Sequence, residues 1–256
     1  MNIKKSLYYH AKSFVTKEDF NSIINRNHLT QEALSNVSKE MIETCETIRN
    51  YKKNSNVLLD IGAHKGLFSK VANAFFHFDK TICFEPNNSH NDTIQNNNLT
   101  VNCAIENIAL SDQEGEISFY LHQDDSMNSS VNSDDKILND DFPWDNPDKI
   151  KETTARTTTL DNYIKQINLK DNTFFIKIDT QGNELSVLKN GVKTLKKTEI
   201  CLIEYMFFSP YDSKFSFFQL VEFMDLNGFD CKGALTINKR PSKKISGVDF
   251  LFIKKS

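Results

Sequence analysis

Short apolar runs alternate with helically spaced apolar residues along the chain from residue 57 onward. Val57–Ile61, Thr173–Ile178 and Glu199–Tyr205 are nearly continuous apolar runs, a pattern typical of parallel strands that are covered on both faces. Further strands are predicted at Thr81–Phe84, Val101–Leu110, Glu116–His122, Cys231–Ile237 and Val248–Ile253. With helices between the strands, this order predicts an α/β fold with a Rossmann-like, doubly wound, mostly parallel sheet and a C-terminal antiparallel hairpin.

Helices are predicted at Leu67–Phe78, at Asn88–Asn97, around Leu185 and Leu188 as far as Gly191, and from Phe217 to Gly228. Residues 1–55 carry no strand signal, but they contain an apolar stripe at helical spacing, formed by Leu34, Val37, Met41, Cys45 and Ile48. Such a stripe covers either the rest of the chain, as a cap, or a second copy, as a homodimer contact. We therefore predict an N-terminal helical extension over 1–55 and one α/β domain over 56–256.

Residues 123–152 interrupt the alternation of strands and helices. The segment is acidic, rich in Asn and Ser, and contains the single tryptophan, Trp144. A connection this long inside a compact domain is usually a lid, a binding loop or a disordered segment. We predict a loop on the acceptor side of the site and leave open whether it is ordered.

The charge and the cysteine content argue against several classes of partner and site. The net charge is −3 and just four of the 31 basic residues are arginines, so we expect no nucleic-acid partner. The five cysteines form no CxxC pair, which indicates neither a disulfide framework nor a zinc site. Because no apolar run reaches about 18 residues, we expect no membrane span and a cytoplasmic location.

The first predicted strand ends in the glycine-containing loop Asp60-Ile61-Gly62-Ala63-His64-Lys65-Gly66. In open α/β sheets, ligands bind beyond the carboxyl ends of the strands. Gly62 lets the backbone turn sharply, and Gly66 opens a helix whose free N–H groups favour an anion such as a carboxylate. The loop therefore predicts a cofactor site.

Two acids indicate which cofactor binds there. The loop reads D-x-G-x-x-x-G rather than the G-x-G-x-x-G of nicotinamide-binding proteins, and Asp60 suits a ligand that carries an ammonium group. Glu85 ends the second strand, where a carboxylate accepts hydrogen bonds from both ribose hydroxyls. Both features favour S-adenosylmethionine. The predicted cofactor contacts are Asp60, Gly62, Ala63, His64, Gly66, Glu85, Pro86, Ala109, Asp112 (against the adenine) and Asp179.

The chain resembles the FkbM-type family of S-adenosylmethionine-dependent, class I methyltransferases. The resemblance runs from Val57 to Ile253 and rests on the segments DIGAHKG, FEPN, IALSDQEGEISFY, TTLDNYI and FIKIDTQGNELSVLKNG. It implies the class I methyltransferase fold and O-methylation, often in glycan and natural-product pathways. His64 departs from the family pattern, in which an asparagine or a similar small polar residue is common, so the role of His64 stays open.

Methyl transfer to oxygen requires that the acceptor hydroxyl be aligned and that its proton be accepted. Asp179 and Glu204 end two predicted neighbouring strands, and Glu184 lies in the first turn of the helix after Asp179. They are either a base with a raised pKa or, for Asp179 and Glu204, ligands of a divalent metal. Glu184 also suits the helix dipole, and His64 is a further candidate base.

The predicted acceptor contacts are Ser129, Ser130, Arg156 and Tyr205. The favoured function is O-methylation of a sugar hydroxyl of a polysaccharide or glycolipid precursor, with a glycan or another small molecule as the acceptor. The alternatives are a polyketide or phenol O-methyltransferase, a nicotinamide-dependent oxidoreductase, and a cofactor-binding scaffold without activity.

Overall fold

A computed structural model of the chain describes residues 37–98, 101–122, 129–131, 150–207, 215–239 and 244–255. From one edge to the other, the central sheet consists of Cys103–Glu106 (β3), Lys80–Phe84 (β2), Val57–Ile61 (β1), Phe174–Ile178 (β7), Thr198–Met206 (β8), Ile245–Lys254 (β10) and Phe229–Lys239 (β9). The first five strands are parallel to one another, and β10 is antiparallel to β8 and β9. The predicted mostly parallel sheet with a C-terminal hairpin is confirmed.

Three more strands form a separate small sheet in the order β4-β6-β5. These strands are Ala109–Leu110 (β4), Ile150–Thr158 (β6) and Gly115–His122 (β5). The prediction of one strand over Val101–Leu110 is wrong, because β3 and β4 belong to different sheets. Between them, Asn107 donates a hydrogen bond to the carbonyl oxygen of Glu85 at 2.8 Å. That hydrogen bond ties the link between β3 and β4 to the end of β2.

The predicted loop over 123–152 is shorter than expected, because β6 already begins at Ile150 and pairs with β5. Ser130 pairs with Tyr120 of β5 through two backbone hydrogen bonds of 2.8 and 3.1 Å. Residues 123–128 and 132–149, which include Trp144, lie outside the described residues. Whether that part of the predicted loop is ordered stays open.

The helices of the described residues are Lys39–Arg49 (α1), Leu67–Phe76 (α2), Asn91–Asn97 (α3), Leu160–Gln166 (α4), Glu184–Lys189 (α5), Val192–Leu195 (α6) and Phe217–Leu226 (α7). Ser38 caps α1 by accepting a hydrogen bond from the N–H of Met41, and Ser216 forms a capping box with Gln219 at the start of α7. The helix predicted around Leu185 continues past Gly191 as α6. None of these helices is long and apolar enough to cross a membrane.

Two hydrophobic clusters cover the two faces of the central sheet. On one face, Leu59 and Ile176 pack under the helices from α4 to α7; on the other, Leu58 and Phe175 pack under α1 and α2. The predicted apolar stripe lies here in part, because Cys45 of α1 is fully buried in the second cluster. Residues 1–36, and with them Leu34, lie outside the described residues, and the predicted homodimer contact stays a prediction.

The face under α1 and α2 becomes polar at the carboxyl ends of the strands. Asp60 of β1 and Lys177 of β7 are register partners, and they face the same side as Leu58 and Phe175, because side chains two positions apart in a strand share a face. The sheet therefore provides an apolar floor under the helices and a charged rim at the edge where ligands bind.

Candidate active site

A cavity of about 530 Å³ opens at the charged rim of the central sheet. Its walls come from the β1 and β2 ends, the β7 and β8 ends, α1 and the β9–β10 hairpin. The predicted contacts Ala63, His64, Pro86 and Ala109 line it together with Gly62, Glu85 and Asp179. The volume lies in the range usual for small-molecule sites, about 300–1,000 Å³.

The loop after β1 is held between the two neighbouring strands. The N–H groups of Gly62 and Ala63 both donate to the carbonyl oxygen of Phe84, at 3.0 and 3.1 Å. Gly62 has a φ of +76°, and a Cβ there would lie 1.8 Å from the carbonyl oxygen of Asp179. Glycine is therefore required because β1 and β7 approach each other too closely for a side chain. Gly66 starts α2 behind this loop, against Asn98.

Glu85 is buried, and each of its carboxylate oxygens is held by a backbone donor. Oε2 accepts from the N–H of His64 at 2.8 Å, and Oε1 accepts from the N–H of Asn87 at 2.9 Å. Burial raises the pKa of Glu85 to about 7, although the hydrogen bonds from Asn87 and His64 act in the opposite direction. Each oxygen keeps a second lone pair, so the carboxylate can also accept a ligand's hydroxyl groups.

Lys177 connects the carboxylates at the β1 and β7 ends. Its Nζ lies 3.7 Å from Oδ1 of Asp60 and 3.2 Å from Oδ2 of Asp179, and it donates to the carbonyl oxygen of Gly62 at 3.0 Å. Burial by itself would lower the pKa of Lys177, but the carboxylates of Asp179, Asp60 and Asp249 raise it above its ordinary value. Lys177 is therefore a permanent cation.

Asp60 is completely buried and is held in place from the opposite side by Ser69. The Ser69 hydroxyl donates to Oδ2 at 2.6 Å, while Oδ1 has no hydrogen-bond partner among the described residues. Oδ1 instead faces Nζ of Lys177 at 3.7 Å. Neither Asp60 nor Gly66 is among the residues that line the cavity, so their predicted contacts with the cofactor stay predictions.

Asp179 and Glu204, predicted from neighbouring strand ends, are brought together. The Gln181 amide bridges them, donating to Oδ1 of Asp179 at 2.8 Å and to Oε2 of Glu204 at 3.0 Å. The other oxygen of Glu204 accepts from the Asn238 amide at 2.9 Å. The two carboxyl groups therefore lie at one place on the cavity wall.

Each of the two carboxyl groups affects the pKa of the other. Burial and the negative charge of Asp179 raise the pKa of Glu204 well above its ordinary value. Burial would raise the pKa of Asp179 too, but the Lys177 cation and hydrogen bonds from Glu204 and Gln181 bring it below the ordinary value. The pair therefore favours the negative charge on Asp179 and the proton on Glu204.

Glu184 is buried and closes the turn between β7 and α5. Its Oε1 accepts from the N–H of Thr180 at 2.9 Å and from the N–H of Gly182 at 3.0 Å, and also from the Thr180 hydroxyl at 3.1 Å. Burial raises the pKa of Glu184 in spite of these donors. Because the donors belong to the turn itself, this geometry favours a positioning role. The predicted role as a base has no contact in the cavity to support it.

His64 lies at the Glu85 end of the cavity. Its ring stands edge-on against the ring of His90, with 4.5 Å between the centroids. Burial, and then the proximity of His90 and Lys65, lowers the pKa of His64 to about 4. The imidazole is therefore neutral at pH 7. Its backbone N–H is one of the donors that hold Glu85, and its role as a base stays a prediction.

The predicted acceptor contacts are only partly brought to the cavity. Ser129 and Ser130 line it, and the Ser130 hydroxyl donates to the carbonyl oxygen of Gln181 at 2.9 Å. Tyr205 instead packs against a cluster of aromatic rings, Phe207, Phe215 and Phe217. Arg156 and Asp112 are exposed and lie outside the cavity lining, because the outer faces of the small sheet and its turn carry them.

Sequence reasoning missed several polar residues that line the cavity, namely Lys177, Gln181, Thr236, Asn238 and Asp249. The spacing Lys177, Asp179, Gln181 was a usable signal, because alternate residues at a strand end point to one side. The three residues of the terminal hairpin had no such signal, since their place beside Glu204 depends on how β9 and β10 pair. In the described residues, no group of three or more His, Cys, Asp or Glu side chains is arranged to hold a metal ion.

A model of the methyltransferase FkbM domain matches residues 60–231. The chain belongs to the FkbM methyltransferase family. The match begins at Asp60 and includes the glycine loop, Glu85 and the segment from Lys177 to Glu204, which are the parts that form the cavity wall. The protein is therefore an S-adenosylmethionine-dependent methyltransferase. No curated protein sequence matches the chain.

Solved structures with little sequence identity are similar to the chain as well. An O-methyltransferase from Bacillus cereus, solved with S-adenosylhomocysteine, is 12% identical, with 97% of this chain and 96% of that one covered at a TM-score of 0.45. An rRNA methylase from Streptococcus thermophilus is 8% identical, with 86% and 99% covered at a TM-score of 0.46. At these TM-scores the likeness carries no argument about activity or acceptor.

Proposed function

We propose that this methyltransferase transfers a methyl group to a hydroxyl oxygen of a sugar, in a polysaccharide or glycolipid precursor. The observation that carries the proposal is the polar wall formed by Asp179, Gln181, Glu204 and Asn238 beside the cofactor loop. A wall of this composition matches the hydrogen-bonding groups of a polyol. An aromatic or polyketide acceptor would cover the remaining N–H groups and lone pairs of this wall without bonding to them, at a cost of about 1–3 kcal/mol for each group.

The residues at the β1 and β2 ends fit S-adenosylmethionine. The buried carboxylate of Glu85 suits two vicinal ribose hydroxyls. Oδ1 of Asp60 accepts no hydrogen bond from the described residues and lies 3.7 Å from Nζ of Lys177, so its charge can also attract an ammonium through a water molecule. Ala109 and Pro86 line the cavity beside Glu85 and would lie against the ribose or the base. Asp179 completes this set on the β7 side.

When bound, S-adenosylmethionine supplies an electrophilic methyl group on a positively charged sulfur. The chain's own residues then have three tasks. Asp179, ionised beside Lys177, provides negative charge next to the cationic part of the cofactor. Glu204 is held by Gln181 and Asn238 and can present its carboxyl oxygens to an acceptor hydroxyl. Ser130 anchors the start of the acceptor-side loop on the turn after β7.

The remaining roles among the predicted residues follow from the same contacts. Glu184 holds the turn that presents Asp179 and Gln181, so we assign it a positioning role. We find no geometric support in the described residues for Asp179 and Glu204 as metal ligands, because an ammonium and an amide already occupy the oxygens that face one another. A polyketide or phenol acceptor remains the second candidate for the acceptor class.

The proposal is tested by incubating the purified protein with S-adenosylmethionine and two acceptor panels, one of methyl glycosides and one of phenols and polyketides. Formation of S-adenosylhomocysteine with the glycosides, and loss of that activity in Asp179→Asn, is the expected result. Glu116→Gln, an exposed acid of β5, is the matched control and should retain full activity. Turnover with phenols or polyketides but not with glycosides would overturn the sugar assignment.

A further inference from the structure

The cavity continues past Asp179 into a chamber between α1 and the terminal hairpin. We use the name hairpin chamber for the part lined by Met41, Thr44, Glu204, Thr236, Asn238 and Asp249. The hydroxyls of Thr44 on α1 and Thr236 on β9 lie 3.2 Å apart, so α1 is tied to the hairpin and forms the roof. Glu204, Asp249 and Thr236 form one row across β8, β10 and β9, because Asp249 is the register partner of both others.

The position of this chamber along the sheet makes it the place for the acceptor. Glu85 follows β2, and Asp249 lies on β10, four strand spacings away, which corresponds to about 19 Å. In S-adenosylmethionine, one ring and one methylene separate the ribose hydroxyls from the sulfur. A ribose held by Glu85 therefore brings the methyl group no further than the β7 end, near Asp179, and leaves the hairpin chamber to the acceptor.

Asp249 has the surroundings of a proton acceptor. Gly247, two residues earlier on the same face, has no side chain, and even a Cβ there would come within 3.1 Å of Oε1 of Glu204. The missing side chain leaves room for the hydrogen-bonded pair of Glu204 and Asn238, and Asp249 beside this pair lines the cavity. Thr236 donates a hydrogen bond to Asp249, which orients the carboxylate on the chamber wall.

The charged groups around Asp249 keep it ionised but weakly basic near neutral pH. Burial and the negative charge of Asp179 raise the pKa of Asp249 to about 6, while the Lys177 cation and the Thr236 hydrogen bond act in the opposite direction. Burial and the charge of Asp179 raise the pKa of Glu204, the register partner of Asp249 on β8, well above its ordinary value. The other charged residues that line the chamber are Glu40 on α1 and Lys239 on β9.

We propose that Asp249 is the catalytic residue that accepts the proton of the acceptor hydroxyl, and that the hairpin chamber takes a sugar without negative charge. The inference rests on the proposed function. In the step, the hydroxyl O–H bond breaks and its proton moves to the Asp249 carboxylate. The oxygen forms a bond to the methyl carbon, and the carbon–sulfur bond breaks with its electron pair left on sulfur. Asp249 then returns the proton to solvent.

The sugar class follows from the charges of the hairpin chamber. Glu40 and Asp249 are acidic, and the cations that line the cavity near them are Lys239 and Lys177, of which Lys177 is paired with Asp60 and Asp179. A uronic acid or a phosphorylated sugar would bring a like charge against these acids and would weaken binding. A neutral sugar, or one that carries an amino group, meets no such repulsion.

The test uses three proteins, the unaltered chain, Asp249→Asn and the control Asp230→Asn, an exposed acid on β9 of the same hairpin. The acceptors are methyl glycosides of glucose, galactose and mannose, each in neutral, amino and uronic forms, with radiolabelled S-adenosylmethionine as donor. We expect neutral and amino forms to exceed uronic forms at least tenfold in kcat/KM. A general base contributes about 10²- to 10⁴-fold, so Asp249→Asn should lose at least 100-fold in kcat.

Two further measurements separate catalysis from folding. The affinity of Asp249→Asn for S-adenosylhomocysteine, measured by calorimetry, should stay within threefold of the unaltered chain. With S-adenosylmethionine kept saturating at every pH, so that the titration of Glu85 does not enter, the fall of kcat/KM for the glycoside below about pH 6 should disappear in the variant's residual activity. Retention of activity by Asp249→Asn within threefold, or a preference for uronic acids, would overturn this inference alone. If S-adenosylhomocysteine binds but no glycoside is methylated, the proposed function is overturned, and this inference with it.

Discussion

The role of Glu85 in cofactor binding gives the sharpest test of the site, with Glu85→Gln as the perturbation. The two carboxylate oxygens each accept one backbone N–H, from His64 and from Asn87. A glutamine has one oxygen, so its NH₂ group must face one of these N–H donors. One buried donor then stays unsatisfied, which costs about 1–3 kcal/mol of folding free energy.

The same substitution should also weaken the binding of the cofactor. Hydrogen bonds to a charged group contribute about 1.5–3 kcal/mol each, and the variant loses the charge and one acceptor oxygen. We expect a loss of about 2–4 kcal/mol in binding of S-adenosylhomocysteine, or about 30- to 1,000-fold in Kd. Isothermal titration calorimetry at pH 8 measures it, with the exposed Glu116→Gln as control.

The pH dependence supplies an independent check. The pKa of Glu85 is raised to about 7 by burial, and ribose hydroxyls donate to the ionised form. Binding therefore favours the carboxylate, and the Kd of the unaltered chain should rise as pH falls below about 7, approaching tenfold per unit. Glu85→Gln should lack this rise. If its affinity is within threefold of the unaltered chain at pH 8, and the Kd of the unaltered chain does not change between pH 8 and 6, Glu85 does not hold the ribose.

Three further variants test the frame of the site by urea denaturation. Gly62→Ala should lower the free energy of unfolding by at least about 3 kcal/mol, because its Cβ would lie 1.8 Å from the Asp179 carbonyl oxygen. The control Gly115→Ala is also at positive φ but has open space around it, so its free energy of unfolding should fall much less. Equal losses in the two variants would exclude the clash as the cause. Lys177→Met leaves buried carboxylates without their cation, so the free energy of unfolding should fall by about 3–5 kcal/mol. A fall of less than about 1 kcal/mol would contradict this. Glu184→Gln weakens the hydrogen bonds from the N–H groups of the turn, so the free energy of unfolding should fall by about 1–3 kcal/mol and the affinity for the cofactor should fall as a consequence. An unchanged free energy of unfolding would show that these hydrogen bonds contribute little.

The amino-acid sequence by itself determined the alternation of strands and helices, the glycine loop and the family. These features are local: a strand that is covered on both faces needs a short apolar run, and the turn after β1 needs Gly62. The same is true of Glu85, whose position at the end of a strand is readable from Pro86 after it. Local patterns, however, could not show that Val101–Leu110 divides between two sheets, since that division depends on β3 pairing with β2 and β4 pairing with β6.

Tertiary structure decided the parts of the site that depend on which elements become neighbours. Gln181 meets Glu204 across 23 residues of chain, and Asn238 meets Glu204 across 34; a period of two within each strand contains no information about such pairs. The register of β8, β10 and β9 alone places Asp249 beside Glu204. In the sequence, Lys177 only interrupts an apolar strand. Its role as the cation between two carboxylates depends on the pairing of β1 with β7, which places it beside both Asp60 and Asp179.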